Sequence, residues 1–438
     1  MSQPTDEATR IGRRASTAAA VGTAIEYYDF AIYGYLAVVL APLFFPGGQG
    51  LLGLLATLVV VASGFAARPI GGLIFGRLGD RRGRRAVLLA TVSLMGVSTV
   101  ITGLLPTYAS IGIAAPILLA VLRIAQGLSA GGEIGGAASL ATESAPSGRR
   151  GLFGSATSIG VTFGLAGAAA AVGTVTALTT PEQLASWGWR IPFLIAGPLL
   201  AGAVLYRMRV EDSPLFQELV EESEPEKAPV TEVFRRHLGS VLRTVGIVYA
   251  TLTTGSLASV YILVHLSAVL HYPLTGSLWL IVLIVLLPIG LVPWSGALSD
   301  RFGRRAVLSA AMVGFLVLAV PCFWVMQQGS IVWAMVAAVV LNIPFAVQQG
   351  VLYTLLPELF PTKVRYTGVS IGFNIGGVLG SGLVSVVATG LVSLTGNTLA
   401  PSFYLVFAAV VGLLVVAVTR ETARDDMQAG ATPPVLAR

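Results

Sequence analysis

The sequence predicts an all-α integral membrane protein of twelve transmembrane helices in two six-helix bundles, with both termini cytoplasmic. Of its 438 residues 55% are hydrophobic and only 11% are charged, and the mean hydropathy is +0.82. A soluble globule of this composition would lack polar residues to cover its surface. The chain also repeats itself. Gly76-Arg77-Leu78-Gly79-Asp80-Arg81-Arg82-Gly83-Arg84-Arg85 returns 220 residues later as Gly296-Ala297-Leu298-Ser299-Asp300-Arg301-Phe302-Gly303-Arg304-Arg305, each copy wedged between hydrophobic runs long enough to cross a bilayer. A second pair, Glu143-Ser144-Ala145-Pro146 before Arg150 and Glu358-Leu359-Phe360-Pro361 before Arg365, repeats at an offset of 215.

Apolar stretches of about 20 residues or more mark the spans. In the first half they cover 17–45, 51–78, 86–106, 112–141, 150–178 and 188–208. In the second they cover 241–270, 275–298, 305–326, 330–356, 366–394 and 398–420. All but three of the 27 Lys and Arg residues fall on one side, the exceptions being Arg68, Arg123 and Arg190. The positive-inside rule makes that side the cytoplasm. The pI of about 9.6 reflects this topology and gives some attraction to anionic headgroups, with no nucleic-acid site in it. The basic N-terminus precedes a run that is too long for a signal peptide and contains Glu26 and Asp29, which predicts a retained first helix. The organisation expected is a bundle over 1–208, a cytoplasmic linker over 209–240 rich in Glu and Pro, a second bundle over 241–420 and a polar tail over 421–438 that frays. Duplicated membrane halves of this kind build many secondary transporters, with the solute site where the halves meet.

Two glycine series, Gly127, Gly131 and Gly135, and Gly368, Gly372, Gly376 and Gly380, predict helix backbones in close approach, because small residues drive packing in lipid. The single cysteine, Cys322, excludes an intrachain disulfide and reads as a small core residue. Neither of the two lysines, Lys227 and Lys363, stands in a phosphate-binding loop, so no ATP site is expected. Three scattered histidines and one cysteine offer no metal site, and no cofactor is called for. Energy must then come from a gradient.

Ionisable groups within a bilayer cost roughly 2.5–3.5 kcal/mol each, so those present face a cavity or a partner. Glu26, Asp29 and Tyr33 share one face of the first helix by their spacing. Two carboxylates this close repel, which favours one of them holding a proton near neutrality. At 1.5 Å per residue, Asp29 lies about 18 Å from one helix start and Arg123 about 16 Å from the opposite one, both near the midplane. Arg68 and Glu133 fall deeper, at a common level where they would pair. Glu26, Asp29 and Glu133 are therefore the proton-coupling candidates. Arg123, Tyr33, Gln126, Gln348 and Asn342 are the candidates for binding a solute, with Gln349, Tyr353 and Asn374 as further neutral donors. His265 reads as an interfacial or packing histidine.

At these residues the chain resembles the major facilitator superfamily and, within it, the metabolite:proton symporters. The doubled Gly-x-x-x-Asp-Arg-x-Gly-Arg-Arg loop carries the wider resemblance. Glu26-Tyr27-Tyr28-Asp29-Phe30, Ala67-Arg68-Pro69-Ile70-Gly71-Gly72, Arg123-Ile124-Ala125-Gln126-Gly127, Gly131-Gly132-Glu133 and Trp187-Gly188-Trp189-Arg190-Ile191-Pro192-Phe193 carry the narrower one. The chain departs at Tyr27-Tyr28, where pairs containing Trp are frequent, and at Gly79, where Ala or Ser is more usual. The resemblance implies alternating access in the inner membrane, with helices 1, 4, 7 and 10 around a central cavity. It also implies import, with protons, of a small solute bearing a carboxylate, such as shikimate, a dicarboxylate, proline or glycine betaine. A proton-driven exporter of drugs or metabolites is the alternative on the same fold. Asp80, Arg81 and Arg84, with Asp300, Arg301 and Arg304, would latch the cytoplasmic face, Asp80 against the start of helix 11.

Overall fold

The computed structural model describes residues 6–45, 51–208, 212–222, 229–270, 280, 282–425 and 427. All regular structure among them is helical. The first six long helices are α1 (Asp6–Phe44), α2 (Leu51–Arg82), α3 (Arg84–Leu104), α4 (Ala114–Glu143), α5 (Arg150–Leu178) and α6 (Arg190–Arg207). Then come α7 (Leu238–Ala258), α8 (Val282–Phe302), α9 (Arg304–Met326), α10 (Ile331–Glu358), α11 (Thr362–Thr395) and α12 (Ala400–Ala417). Ten stretches among the described residues are long and apolar enough to cross a membrane, and they correspond to α3–α12. Helices α1 and α2 have 39 and 32 residues.

Packing in the first half recurs in the second. Helix α1 lies along α5 as α7 lies along α11, α2 along α4 as α8 along α10, and α3 along α6 as α9 along α12. The halves meet through α2 against α11 and α5 against α8 and α10. Backbone geometry repeats too: Gly83 and Gly303 both have φ of 100°, each forming the corner between two helices, a conformation L side chains rarely adopt. Glycines of α4 do what their spacing predicted. A β-carbon on Gly127 would stand 2.0 Å from the Gly64 carbonyl oxygen of α2, and one on Gly131 2.1 Å from that of Arg68.

Two helices break where they line the interior. Helix α7 ends at Ala258, and beyond Ser259 a short helix, Val260–Val264, runs into a π-helical turn, His265–Val269. Helix α11 carries a π-helical turn at Val378–Gly382. Such wide turns release backbone groups and gather at functional sites.

Regular structure reaches into the linker, and contacts reach into the first residues of the tail. The linker holds two short helices, Pro214–Glu222 and Pro229–Arg236, with Val233 and Phe216 buried; residues 223–228 lie outside the described set. The tail expected to fray is pinned as far as Asp425. Glu421 accepts hydrogen bonds from the backbone N–H groups of Arg304 at 2.8 Å and Arg305 at 3.1 Å, the start of α9. Asp212 does the same for Arg85 at the start of α3, at 2.9 Å. A carboxylate at a helix N-terminus satisfies unpaired donors and complements the helix dipole, so the chain after α6 and after α12 turns back for the same reason. Cys322 is buried in α9, as expected.

Candidate functional site

Helix α1 presents Glu26, Asp29 and Tyr33 to the interior, all buried. Around Asp29 a complete polar set assembles. The Thr99 hydroxyl donates to Asp29 Oδ1, and Gln126 Nε2 donates to the same oxygen at 2.7 Å. The second oxygen, Oδ2, faces Arg123 Nη1 at 3.7 Å. Arg123 Nη1 also donates to Gln126 Oε1 at 2.9 Å, and the guanidinium lies 4.3 Å from the Tyr33 ring centroid. The residues that depth placed at one level are thus in one network.

Depth fails for the other pair. Arg68 does not meet Glu133; its Nη2 stands 3.5 Å from Glu26 Oε1. Glu133 is held by Arg207, through both Nη1 and Nη2, and by the Thr91 hydroxyl at 2.7 Å. Arg207 donates as well to the Leu88 carbonyl at 2.7 Å, tying α6 to α3 and α4. Arg207 was missed because it sits at the end of a span, where the topology count takes it for a surface charge. It is buried.

Two hollows adjoin these groups. A cavity of about 90 Å³, room for several waters or a small solute, is lined by Tyr27, Phe30, Phe65 and Arg68 from the first half and by Ser256, Ser259, Phe345, Gln349, Phe373, Asn374 and Ser381 from the second. Beside it a void of about 10 Å³ is bounded by Glu26, Asp29, Arg68, Arg123 and Gln126. Of the expected solute ligands, Arg123 and Gln126 border the small void and not the cavity, and Tyr33 lies under Arg123. Gln348 turns into its own half and donates to the Thr251 carbonyl at 3.0 Å, and Asn342 donates to the Ala258 carbonyl at 2.6 Å. Gln349 and Asn374 do reach the cavity, Asn374 also bridging the halves by donating to the Gly131 carbonyl at 2.7 Å. His265 packs between Tyr261 and Phe323, fully buried, with neither ring nitrogen hydrogen-bonded.

At the arginine-rich end the halves are locked together. Asp80 accepts from the backbone N–H of Tyr366 at 3.1 Å and of Thr367 at 2.9 Å, at the start of α11. Asp300 accepts from Gly151 at 2.7 Å and Leu152 at 3.0 Å, at the start of α5. Arg84 pairs with Glu143 at 3.2 Å, and Arg365 of the other half reaches the same Glu143 oxygen at 2.7 Å. Arg304 repeats the pattern with Asp300 at 2.8 Å and Glu358 at 3.0 Å. Arg81 and Arg301 are exposed and stand outside both clusters. The Trp187–Phe193 motif serves the opposite end, where Arg190 donates to the Gly103 and Leu105 carbonyls that end α3. No group of three His, Cys, Asp or Glu residues able to hold a metal ion occurs among the described residues.

The family model described as "Major Facilitator Superfamily" matches residues 19–381. The chain belongs to the major facilitator superfamily. It is 36% identical over 430 residues to the proline/betaine transporter of Escherichia coli (strain K12), covering 96% of this chain and 86% of that protein. It is 36% identical over 420 residues to the inner membrane metabolite transport protein YhjE of the same organism, covering 94% of each, and 34% identical over 423 residues to its shikimate transporter, covering 95% of each. Among solved structures, the proton:xylose symporter XylE bound to 6-bromo-6-deoxy-D-glucose superposes with a TM-score of 0.77, at 17% identity, over 94% of this chain and 97% of that one. This major facilitator protein is thus a multi-pass transporter of the inner membrane and not an enzyme.

Proposed function

We propose that this major facilitator protein is a proton symporter that imports a small carboxylate-bearing solute by alternating access. In this reading twelve helices span the membrane, both termini and the arginine-rich end face the cytoplasm, and the bundles over 1–208 and 241–420 rock about a cavity, joined by the 209–240 linker and followed by the 421–438 tail. The relatives that carry proline, betaine or shikimate by name support the solute class.

One observation carries the proton coupling: Asp29 Oδ1 is saturated by two donors while Oδ2 has only Arg123 at 3.7 Å. Oδ2 is the atom that takes the proton. Protonation there removes the attraction to Arg123 and leaves the Thr99 and Gln126 bonds in place, so the charge pair breaks while the helices stay in register. Arg123, Tyr33 and Gln126 act at one remove from the solute, setting the state of Asp29. Glu133, with Arg207, holds α4 to α6. Asp80 and Asp300, with Arg84 and Arg304, hold the cytoplasmic side shut in the conformation described. The test is uptake by reconstituted vesicles of labelled proline, glycine betaine and shikimate, with and without an inward proton gradient. Gradient-driven accumulation of one solute is expected. Uptake of none, with efflux of other compounds on reversing the gradient, would mean an exporter.

A further inference from the structure

Among the described residues, Arg68 is the one charged side chain that lines the central cavity. The same residue bounds the small void that holds Glu26, Asp29 and Arg123. Arg68 therefore stands in the wall between the place a solute would occupy and the carboxylates of α1.

Its present bond is poor. A charge-assisted N–H···O bond is about 2.7–2.9 Å long, whereas Arg68 Nη2 and Glu26 Oε1 are 3.5 Å apart. Neither oxygen of Glu26 accepts a hydrogen bond, although the residue is 1% exposed. Its two nearest carboxylates do accept hydrogen bonds: Glu133 from Arg207 and Thr91, and Asp29, at Oδ1, from Thr99 and Gln126. The Arg68 guanidinium is kept in place by something else. It lies 5.1 Å from the ring centroids of both Phe30 and Phe65, which meet edge to face at 4.8 Å. Cation–π contact holds the fork and leaves its N–H edge free to choose between two acceptors.

We propose that Arg68 is the anchor for the solute's carboxylate, and that the solute replaces Glu26 on the guanidinium. The inference rests on the symport reading above and deepens it. A mobile carboxylate in the cavity can form the two parallel bonds that Glu26 does not. Glu26, once left without its cation, repels the charge on Asp29 and favours the proton on Asp29 Oδ2, so solute and proton bind cooperatively. The groups facing Glu26 are Arg68 from α2, Asp29 from its own helix, Glu133 from α4 and Arg207 from α6. Arg207 is committed to Glu133, and Arg123, which shares the small void, to Asp29 and Gln126, so no second cation takes over when Arg68 turns away. A single cavity cation also defines the cargo: one carboxylate, on a body that suits the aromatic walls of Tyr27, Phe30, Phe65, Phe345 and Phe373. A second carboxylate would meet no cation among the described lining residues.

The experiment is competition binding on the full-length protein in liposomes, using labelled proline, glycine betaine and shikimate, with each acid set against its methyl ester. The wild-type protein should prefer the acid by about tenfold or more, the worth of a charged hydrogen bond. Arg68→Gln should bring the acid down to the ester. Arg68→Lys should fall between, because a point charge does not form the fork, and it serves where the glutamine variant is unstable. Glu26→Gln should tighten binding of the acid and flatten its pH dependence. A stable Arg68 variant that keeps the wild-type preference for acid over ester overturns the anchor. A Glu26→Gln protein with unchanged affinity and pH dependence overturns the exchange of partners. Wild-type protein that prefers none of the three acids overturns the carboxylate-symport reading itself, and the anchor with it.

Discussion

Gly79 of α2 and Tyr366 of α11 face each other so closely that a β-carbon on Gly79 would stand 1.9 Å from the ring. Tyr366 is fully buried, and its backbone N–H is one of the two that Asp80 holds. The glycine before Asp80 is thus matched to a tyrosine on the other half. Gly79→Ala should favour the state open at the arginine-rich end, since overpacking costs about 1–3 kcal/mol. With Cys322 replaced by alanine and Ser370→Cys as reporter, thiol labelling should quicken by about tenfold. Unchanged labelling would mean that the ring moves aside freely.

Asp80→Asn and Asp300→Asn each remove the charge from an acceptor of two backbone N–H bonds, an interaction worth about 1.5–3 kcal/mol. Uptake should fall by roughly tenfold in either variant while the amount in the membrane stays level. Normal rates in both would remove the fastening role.

Asp29→Asn keeps a side-chain oxygen for Thr99 and Gln126 but cannot carry a proton. Uphill accumulation should vanish while exchange of labelled for unlabelled solute continues. Accumulation driven by a pH gradient in this variant would place coupling elsewhere.

Glu133→Gln leaves Arg207 as an uncompensated buried cation, which costs about 3–5 kcal/mol. The variant should melt well below the parent, yet any folded fraction should retain proton coupling. Glu133→Leu combined with Arg207→Met should recover most of the stability. Loss of coupling at full stability would return Glu133 to the proton path.

Glu421 gives a pH signature outside the spans. Burial raises its pKa, but the backbone N–H groups of Arg304, Ala423, Arg305 and Thr422 outweigh this and hold it below the usual glutamate value. A carboxyl depressed in the folded state contributes stability above its unfolded pKa, about 4.3, and that contribution is lost as pH falls through the folded value. Amide exchange at Arg304 and Arg305, corrected for intrinsic rates, should accelerate on acidification through that window. Glu421→Gln should show fast exchange already at neutral pH.

What was legible in the sequence came from repetition and from spacing along helices. The doubled loop located Asp80 and Asp300, the family resemblance implied a contact between Asp80 and the start of helix 11, and the three-and-four spacing put Glu26, Asp29 and Tyr33 on one face. Rotation about the helix axis was not legible. Helix α10 is apolar on nearly every side, so nothing in its pattern says that Gln349 faces the cavity while Gln348, one residue earlier, faces Thr251. The same lack of azimuth paired Arg68 with Glu133 by depth, when Arg68 meets Glu26 and Glu133 meets Arg207. Asp212 and Glu421 escaped notice because a carboxylate in a polar segment looks solvated until the helix start it caps is seen.

Each half both lends a carboxylate and receives one: Asp80 reaches from α2 to α11, and Asp300 reaches from α8 to α5. The loan is reciprocal, so the two bonds work as the ends of a yoke. If one end lets go alone, the other becomes an axle about which the halves twist without parting. Separation at this end then has a threshold and no gradual course, because at intermediate angles neither helix start finds its acceptor.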